Sequence, residues 1–342
     1  MKVLLTGGAG FIGRHVLREL LARGHEVRVM DSLRTDVHAG RTWTPPASVE
    51  FQTADVRDAV AVDRALSGVE AVLHLAAKVG LGVAVSDLPD YASSNDAGTA
   101  ALLAGMARAG IGRFTVASSM VVYGEGVGRC GEHGAVTPGP RVEADLSAGR
   151  FEPPCPHCGA PLSPALVGED VALDPRNAYA TSKVAQEFYA GNWARVTGGS
   201  VAAMRYHNVY GPGMPRDTPY AGVAAIFTSA LRRGDAPQVF EDGGQRRDFV
   251  HVRDVAAATV SASEQHVKGV RAFNVGSGTP STVGDMARAI ARALNGPEPV
   301  VTGQYRLGDV RHITADSSRV RTELKWEPQI KFADGMAELA AL

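Results

Sequence analysis

The sequence predicts an α/β protein: a doubly wound parallel sheet, a smaller C-terminal α/β lobe and a Cys/His-bearing insertion. Three observations predict it. Through the first half, short apolar strands alternate with helical patterns, the rhythm of parallel strands joined by crossover helices. The first of these strands runs straight into a glycine-rich turn. The rhythm then breaks from 124 to about 177, in a Pro- and Gly-rich stretch that holds all three cysteines.

Taken in order, strands are expected at 2–6, 26–30, 49–52, 71–75 and 113–117, with helices at about 14–23, 58–67 and 95–109. A long helix at about 178–197 and a strand at 201–206 follow the irregular stretch. Beyond them come short strands (238–240, 273–275) and helices at about 222–233, 254–264, 283–294 and 317–324. This places a first domain at 1–206, with an insertion at 128–172, and a second lobe at 207–342. The segment at about 248–275 is expected to return to the first domain. In such a sheet a ligand lies beyond the carboxyl ends of the strands. Loops around 80–92, 120–128 and 206–222 would shape its pocket.

Bulk properties narrow the function. A net charge of −1 over 342 residues, with no basic run, excludes nucleic acid and anionic membrane as expected partners. No apolar run reaches the ~18 residues of a membrane span. The first strand is too short for a signal-peptide core, and three cysteines cannot pair off completely. Both point to a reducing, cytoplasmic setting.

The opening turn, Thr6-Gly7-Gly8-Ala9-Gly10-Phe11-Ile12-Gly13, is built to seat a pyrophosphate. Gly7 permits the tight turn, Gly10 lets backbone N–H groups approach, and Gly13 lets helix and strand pack closely at the helix N-terminus. The second strand ends in Asp31, 18 positions after Gly13. An acid there accepts both hydroxyls of an adenine ribose and repels a 2′-phosphate. NAD is therefore expected over NADP, although Arg34 nearby leaves NADP open. The first domain reads as Rossmann-type.

Tyr179 and Lys183 stand one helical turn apart. A nearby ammonium favours a phenolate, so the tyrosine pKa is expected to fall. Such a tyrosine can take or give a proton near neutral pH. Alone, the same spacing also describes an ordinary amphipathic helix.

Further stretches join it in order: Asp55-Val56-Arg57-Asp58, His74-Leu75-Ala76-Ala77, Asn95-Asp96-Ala97-Gly98-Thr99, Ser118-Ser119 through Tyr123-Gly124, Arg205-Tyr206-His207-Asn208-Val209-Tyr210-Gly211-Pro212 and Arg247-Asp248-Phe249-Val250-His251-Val252. With these the chain resembles the extended short-chain dehydrogenase/reductase family, in its nucleotide-sugar epimerase and dehydratase branch, over nearly its whole length. The resemblance implies a cofactor site of Gly7, Gly10, Phe11, Ile12, Gly13, Asp31, Asp55, Val56, Ala76, Lys78, Asn95, Tyr179 and Lys183. It makes Tyr179 the base, Lys183 its assistant and Ser119 the partner of the reacting sugar hydroxyl. It implies a nucleotide-diphosphate sugar as substrate, met by Ser119, Met120, His207, Asn208, Arg247, Asp309 and Arg311. It also implies a homodimer, formed through helices 95–109 and 178–197.

Dehydrating relatives carry an Asp-Glu pair directly after the serine or threonine, and decarboxylating relatives usually a Glu. Here Met120-Val121 stand there, and neither can move a proton. The set suits oxidation at C4 and return of hydride to the opposite face, a 4-epimerase. The alternatives are a 4,6-dehydratase, a decarboxylase, a 4-ketoreductase or a catalytically idle NAD-binding sensor.

In the insertion, Cys130-Gly131-Glu132-His133 and Cys155-Pro156-His157-Cys158 form two knuckles. Three thiolates and an imidazole suit one tetrahedral Zn²⁺, and four protein ligands make the site structural. His157 is the alternative fourth ligand. The other readings are free thiols or a Cys155–Cys158 disulfide. The insertion resembles cysteine-bearing inserts of epimerases acting on dTDP-L-rhamnose or UDP-glucose, so these substrates lead, the first slightly ahead.

Overall fold

The structure is a computed structural model that describes residues 1–38, 43–80, 84–215, 222–265 and 267–341. Of the loops expected to shape the pocket, residues 81–83 and 216–221 lie outside the described residues. The expected parallel sheet is present. Its strands are β1 (Lys2–Thr6), β2 (Glu26–Asp31), β3 (Glu50–Thr53), β4 (Ala71–His74), β5 (Arg113–Ser119), β6 (Ser200–Tyr206) and β7 (Val270–Val275). Their order across the sheet is β7-β6-β5-β4-β1-β2-β3, and every pairing is parallel. The chain steps outward from β1 to β3, then returns to lay β4 on the other side of β1. A crevice opens where that direction reverses.

Five helices cover the sheet: α1 (Phe11–Ala22), α2 (Ala59–Leu66), α3 (Gly98–Ala109), α4 (Ala178–Thr197) and α5 (Val252–Glu264). Val62, Leu66, Leu102, Met106 and Trp193 from α2, α3 and α4 meet Leu4, Val72, Phe114 and Val201 on one face. Val16, Leu20, Ala256 and Val260 from α1 and α5 meet Val3, Leu5, Val27 and Val29 on the other. Sheet residues therefore face apolar neighbours on both sides, which is why these strands read as continuous apolar runs. Asp58 caps α2 by accepting from Val60 N and Ala61 N at 3.0 and 3.1 Å. Asn177 caps α4 by accepting from Ala180 N at 2.8 Å, and Gly198 ends that helix in the left-handed region at φ 75°. The cap fixes where α4 begins and so places Tyr179 in its first turn.

Differences from the expected boundaries are local. β5 runs on to Ser119, and α3 starts at Gly98 after a π-helical stretch at Ala92–Ala97. Helices Val223–Arg232, Val283–Ala293 and Phe332–Ala341 surround the core of the C-terminal lobe, made of Phe227, Leu231, Met286, Ile290, Met336 and Leu339. The last of these helices was not expected. The insertion forms a small antiparallel sheet of Gly128–Cys130, Gly134–Val136 and Ser163–Pro164. Its two ends meet: Asp174 N donates to Val122 O at 2.9 Å.

Candidate active site

The glycine turn sits in the crevice between β1 and β4. Gly7 has φ +72°, and a Cβ added there would lie 2.6 Å from Ala76 N. A Cβ on Gly13 would lie 2.1 Å from the Gly7 carbonyl oxygen. Neither position admits a side chain, so the turn stays narrow and the N-terminus of α1 stays bare for an anion. Asp31 braces this turn. Its Oδ2 accepts from Ala9 N at 3.0 Å and its Oδ1 from Leu33 N at 2.9 Å. Gly7, Gly10, Asp31, Asp55, Val56, Ala76 and Lys78 line one cleft, together with Arg34 and Ser94. Phe11 and Ile12 turn inward, Phe11 against the C-terminal lobe and Ile12 against the sheet.

The charges around the cleft are paired. Arg34 makes a two-pronged contact with Asp90 at 3.1 Å, and Lys78 Nζ donates to the same carboxylate at 2.5 Å. Arg34 and Lys78 together hold the Asp90 carboxyl far below the usual range. Arg57 folds back on Asp55 and lowers its pKa. Asn95 is buried, and its amide accepts from Lys78 N at 2.7 Å and donates to Lys78 O at 3.0 Å and Ser182 Oγ at 2.8 Å. It brackets the Lys78 backbone against α4.

Ser119 ends β5 and Tyr179 lies in the first turn of α4, so the two hydroxyls come together. Lys183 is buried. Its Nζ donates to Ala117 O at 2.7 Å and Gln186 Oε1 at 2.9 Å and lies 5.8 Å from the centre of the Tyr179 ring. The expected depression of the tyrosine pKa is absent here. Burial pushes the phenol up to about 12, and the Ser119 hydrogen bond offsets this only in part. Helical spacing brings the ammonium near the ring, but desolvation outweighs it. Burial likewise draws Lys183 down to about 7, against the raising influence of Glu187 and Asp96. Tyr123 has a bracing role: its hydroxyl donates to Asn274 Oδ1 at 2.7 Å and accepts from Arg205 at 2.8 Å.

The expected substrate residues lie on the lobe side. Met120 begins a one-turn helix, Met120–Tyr123. His207 is 4 % exposed and lies beside Asn274, and Asn208 Oδ1 has no hydrogen-bond partner among the described residues. Arg247 spans the segment before it reaches Arg311, donating to Val310 O at 2.6 Å and Arg311 O at 3.0 Å. Burial raises the Asp309 carboxyl. Arg311 differs from its expected role of touching the nucleoside. All five of its N–H donors go to carboxylates: Glu152, Glu241 and Asp242. Glu152 also contacts His312 at 2.7 Å, and Arg141 bonds Glu241 at 2.8 Å. Arg141 and Glu152 belong to the insertion, so this buried charge cluster locks the insertion onto the lobe. No local spacing in the sequence announces it.

The three cysteines are unbridged. The donor atoms of Cys130, His133, Cys155 and Cys158 all lie within 4.8 Å of one another. Cys130 Sγ is 3.5 Å from His133 Nδ1 and 3.6 Å from Cys158 Sγ, and Cys155 Sγ is 3.8 Å from His133 Nδ1. Tetrahedral bonds of about 2.1–2.3 Å separate their ligands by about 3.6–3.8 Å, so the set fits one four-coordinate metal. His157 stacks beside His133, ring centres 5.0 Å apart.

Fold and cleft define a dinucleotide-binding α/β protein of the doubly wound class. The profile of the NAD dependent epimerase/dehydratase family matches residues 3–143 and 157–276, and the chain belongs to that family. The stretch left unmatched between them, 144–156, falls in the insertion and contains Glu152 and Cys155. A dTDP-L-rhamnose 4-epimerase of Burkholderia thailandensis is 36% identical, over 99% of this chain and 93% of its own. A UDP-glucose 4-epimerase of Mycolicibacterium smegmatis is 33% identical, over 99% and 97%. Among solved structures, the UDP-glucose 4-epimerase of Thermotoga maritima with UDP-glucose superposes with a TM-score of 0.81 at 28% identity, covering 100% of this chain and 98% of the other. The UDP-glucose 4-epimerase of Thermus thermophilus, complexed with NAD, gives 0.75 at 29% identity, over 100% and 98%. Among the described residues no helix is long and apolar enough to cross a membrane.

The charge cluster makes a prediction about stability. Replacing Arg311 by Met leaves Asp242 without its arginine partner, Glu241 with Arg141 alone and Glu152 with His312 alone, and is expected to cost about 1–3 kcal/mol, between the exposed and buried limits, read by urea denaturation at neutral pH. Arg311 lowers the Asp242 pKa; for Glu152, the hydrogen bonds from His312 and Arg311 outweigh the raising effect of burial. Their contribution is therefore complete above about pH 4.5 and is lost as pH falls through their lowered pKa values. Arg311→Met is expected to flatten that acid limb.

Proposed function

We propose that the chain is an NAD-dependent nucleotide-sugar 4-epimerase, with dTDP-L-rhamnose first and UDP-hexoses second as substrates. The observation that carries this reading is the meeting of Ser119, Tyr179 and Lys183, with Met120 and Val121 in the two positions after the serine. The cleft fits the cofactor: a bare helix N-terminus faces the place of a pyrophosphate, and Asp31 faces that of the adenine ribose. Arg34 is turned to Asp90, which favours NAD over its 2′-phosphorylated form.

NAD⁺, when bound, supplies the acceptor for the C4 hydride, the source of its return, and a positive charge. Tyr179 takes the proton of the sugar 4-hydroxyl and gives it back when the epimeric alcohol forms. Ser119 holds that oxygen, and the Lys183 ammonium favours the phenolate. Asn208, Arg247 and Asp309 border the place of the nucleotide diphosphate. The half of the reaction that inverts C4 needs no second acid, because hydride leaves and returns at one carbon.

Two structural readings accompany this one. The Cys130, His133, Cys155 and Cys158 set binds one structural Zn²⁺, which staples an insertion whose own core is only Cys130, Cys155, Leu162 and Val136. The chain forms a homodimer in a reducing, cytoplasmic setting. Phe188, Tyr189 and Val196 on the outer face of α4 are 65%, 47% and 78% exposed, apolar area that a second α4 would cover.

Proton NMR in D₂O with dTDP-L-rhamnose, UDP-glucose, UDP-glucuronate and dTDP-glucose tests the reaction. A C4 epimer free of carbon-bound deuterium is expected; deuterium at C5 or a 4-keto-6-deoxy product would overturn the reading. Tyr179→Phe is expected to lose at least ~10³-fold in turnover while retaining NAD. Elemental analysis is expected to find one zinc per chain, lost in Cys155→Ser together with part of the thermal stability. Light scattering is expected to show two chains per particle; a monomer would rule out the α4 interface.

A further inference from the structure

Beneath Tyr179 and Lys183 runs a line of polar side chains that the reaction above does not use. Thr6, His74, Thr99 and Gln186 are each 0–1 % exposed, and Lys183, to which they lead, is 3 % exposed. An ammonium has three donors and no acceptor. Two of the three go to Ala117 O and Gln186 Oε1. Because Oε1 accepts from the lysine, the nitrogen end of that amide must point away, and Nε2 donates to Thr99 Oγ1 at 2.7 Å. Thr99 Oγ1 lies 3.0 Å from His74 Nε2, and His74 Nδ1 lies 2.7 Å from Thr6 Oγ1. Thr6 Oγ1 in turn accepts from Ala76 N at 3.2 Å. Ala76 lines the dinucleotide cleft, so an unbroken chain of hydrogen bonds joins its floor to the ammonium. Polar groups this deep are costly unless all are paired, and apolar residues would fill the same space at no such cost.

We propose that Gln186 is a positioning residue for Lys183, with its amide oxygen kept toward the ammonium by Thr99 and His74. The arrangement leaves one N–H of Lys183 for the reacting groups, and it fixes the direction in which that N–H points. His74 serves as a neutral link. Burial, and after it the charge of Lys183, holds its pKa at about 3, so the ring stays uncharged beside the lysine. The charged groups facing Lys183 from its surroundings are Glu187 on α4 and Asp96 before α3. Glu187 is already committed to Arg205 at 2.7 Å. Asp96 Oδ1 is buried without a partner among the described residues, and burial raises its carboxyl to about 6. The neutral Gln186 oxygen is therefore the side chain directly bonded to the ammonium.

The proposal rests on the reading of Lys183 as a catalytic group, and the experiment separates the two. The pH dependence of kcat is measured for the wild type, Gln186→Leu, Gln186→Glu, Thr99→Val and Lys183→Met, each with its bound NAD determined. Activity needs the protonated lysine, so its titration sets the alkaline limb. Gln186→Leu removes an acceptor and is expected to move that limb to lower pH by about one unit; Gln186→Glu adds a carboxylate and moves it to higher pH. Thr99→Val frees the amide to turn and shifts the limb as Gln186→Leu does, by less. Bound NAD stays near the wild-type level in the Gln186 and Thr99 variants. Should Gln186→Leu fail to fold, the near-isosteric Gln186→Glu carries the test alone. Equal losses at every pH, or an unmoved limb in Gln186→Glu, would overturn the proposal. A fully active Lys183→Met would overturn the site reading itself.

Discussion

No side chain fits between the first helix and the turn that precedes it. A single methyl on Gly13 would lie 2.1 Å from the Gly7 carbonyl, and one on Gly7 would strike the backbone at Ala76. This contact sets how near α1 comes to β1, and so how near β4 comes to the turn. The crevice between β1 and β4 takes its width from it. The rest of the site hangs on that crevice: Asp31 reaches across to brace Ala9, Ala76 offers its N–H to Thr6, and Thr6 begins the buried chain that ends at Lys183. Backbone proximity at three small residues thus reaches α4 without any charged intermediary.

The site is organised by a contrast between its two sides. Between the sheet and α4 the polar groups are neutral and deeply buried: Asn95, Thr99, His74 and Gln186. On the lobe side the groups are charged and cross-linked, as Arg311 shows among Glu152, Glu241 and Asp242. Neutral networks hold direction; ionic ones hold separate pieces of chain together, and their loss leaves bare charge behind. The role proposed for the Lys183 ammonium needs a fixed direction, and the insertion needs a tether. Each side carries the kind of bond suited to its task.

Much of this was legible in the sequence because it is local. The glycine turn, Asp31 at the end of β2, the spacing of Tyr179 and Lys183, and the two cysteine knuckles each lie within a short window, and periodicity located the first six strands of the sheet to within two residues, while β7 begins three residues before the expected 273. What was not legible depends on contacts between distant residues. Arg311 and Glu152 are 159 positions apart, and nothing near either marks them as partners. His74 and Asn95 stood inside recognisable motifs, yet their hydrogen bonds to Thr6, Thr99, Lys78 and Ser182 require the folded sheet. The tyrosine pKa was misjudged for the same reason. Spacing gives the distance to an ammonium, whereas burial is a property of the whole surround.

The insertion leaves the body at Val122 and comes back at Asp174, and a hydrogen bond joins those two points. The excursion is therefore a bulb on a closed neck. Ser119 stands before the neck and Tyr179 after it, so the distance between the two hydroxyls is independent of how much chain the bulb contains. Length and sequence inside it can change over evolutionary time, or by grafting, while the spacing of the reacting groups is preserved. The fold thereby separates the spacing of the two hydroxyls from the length of the insertion, and lets the second vary alone.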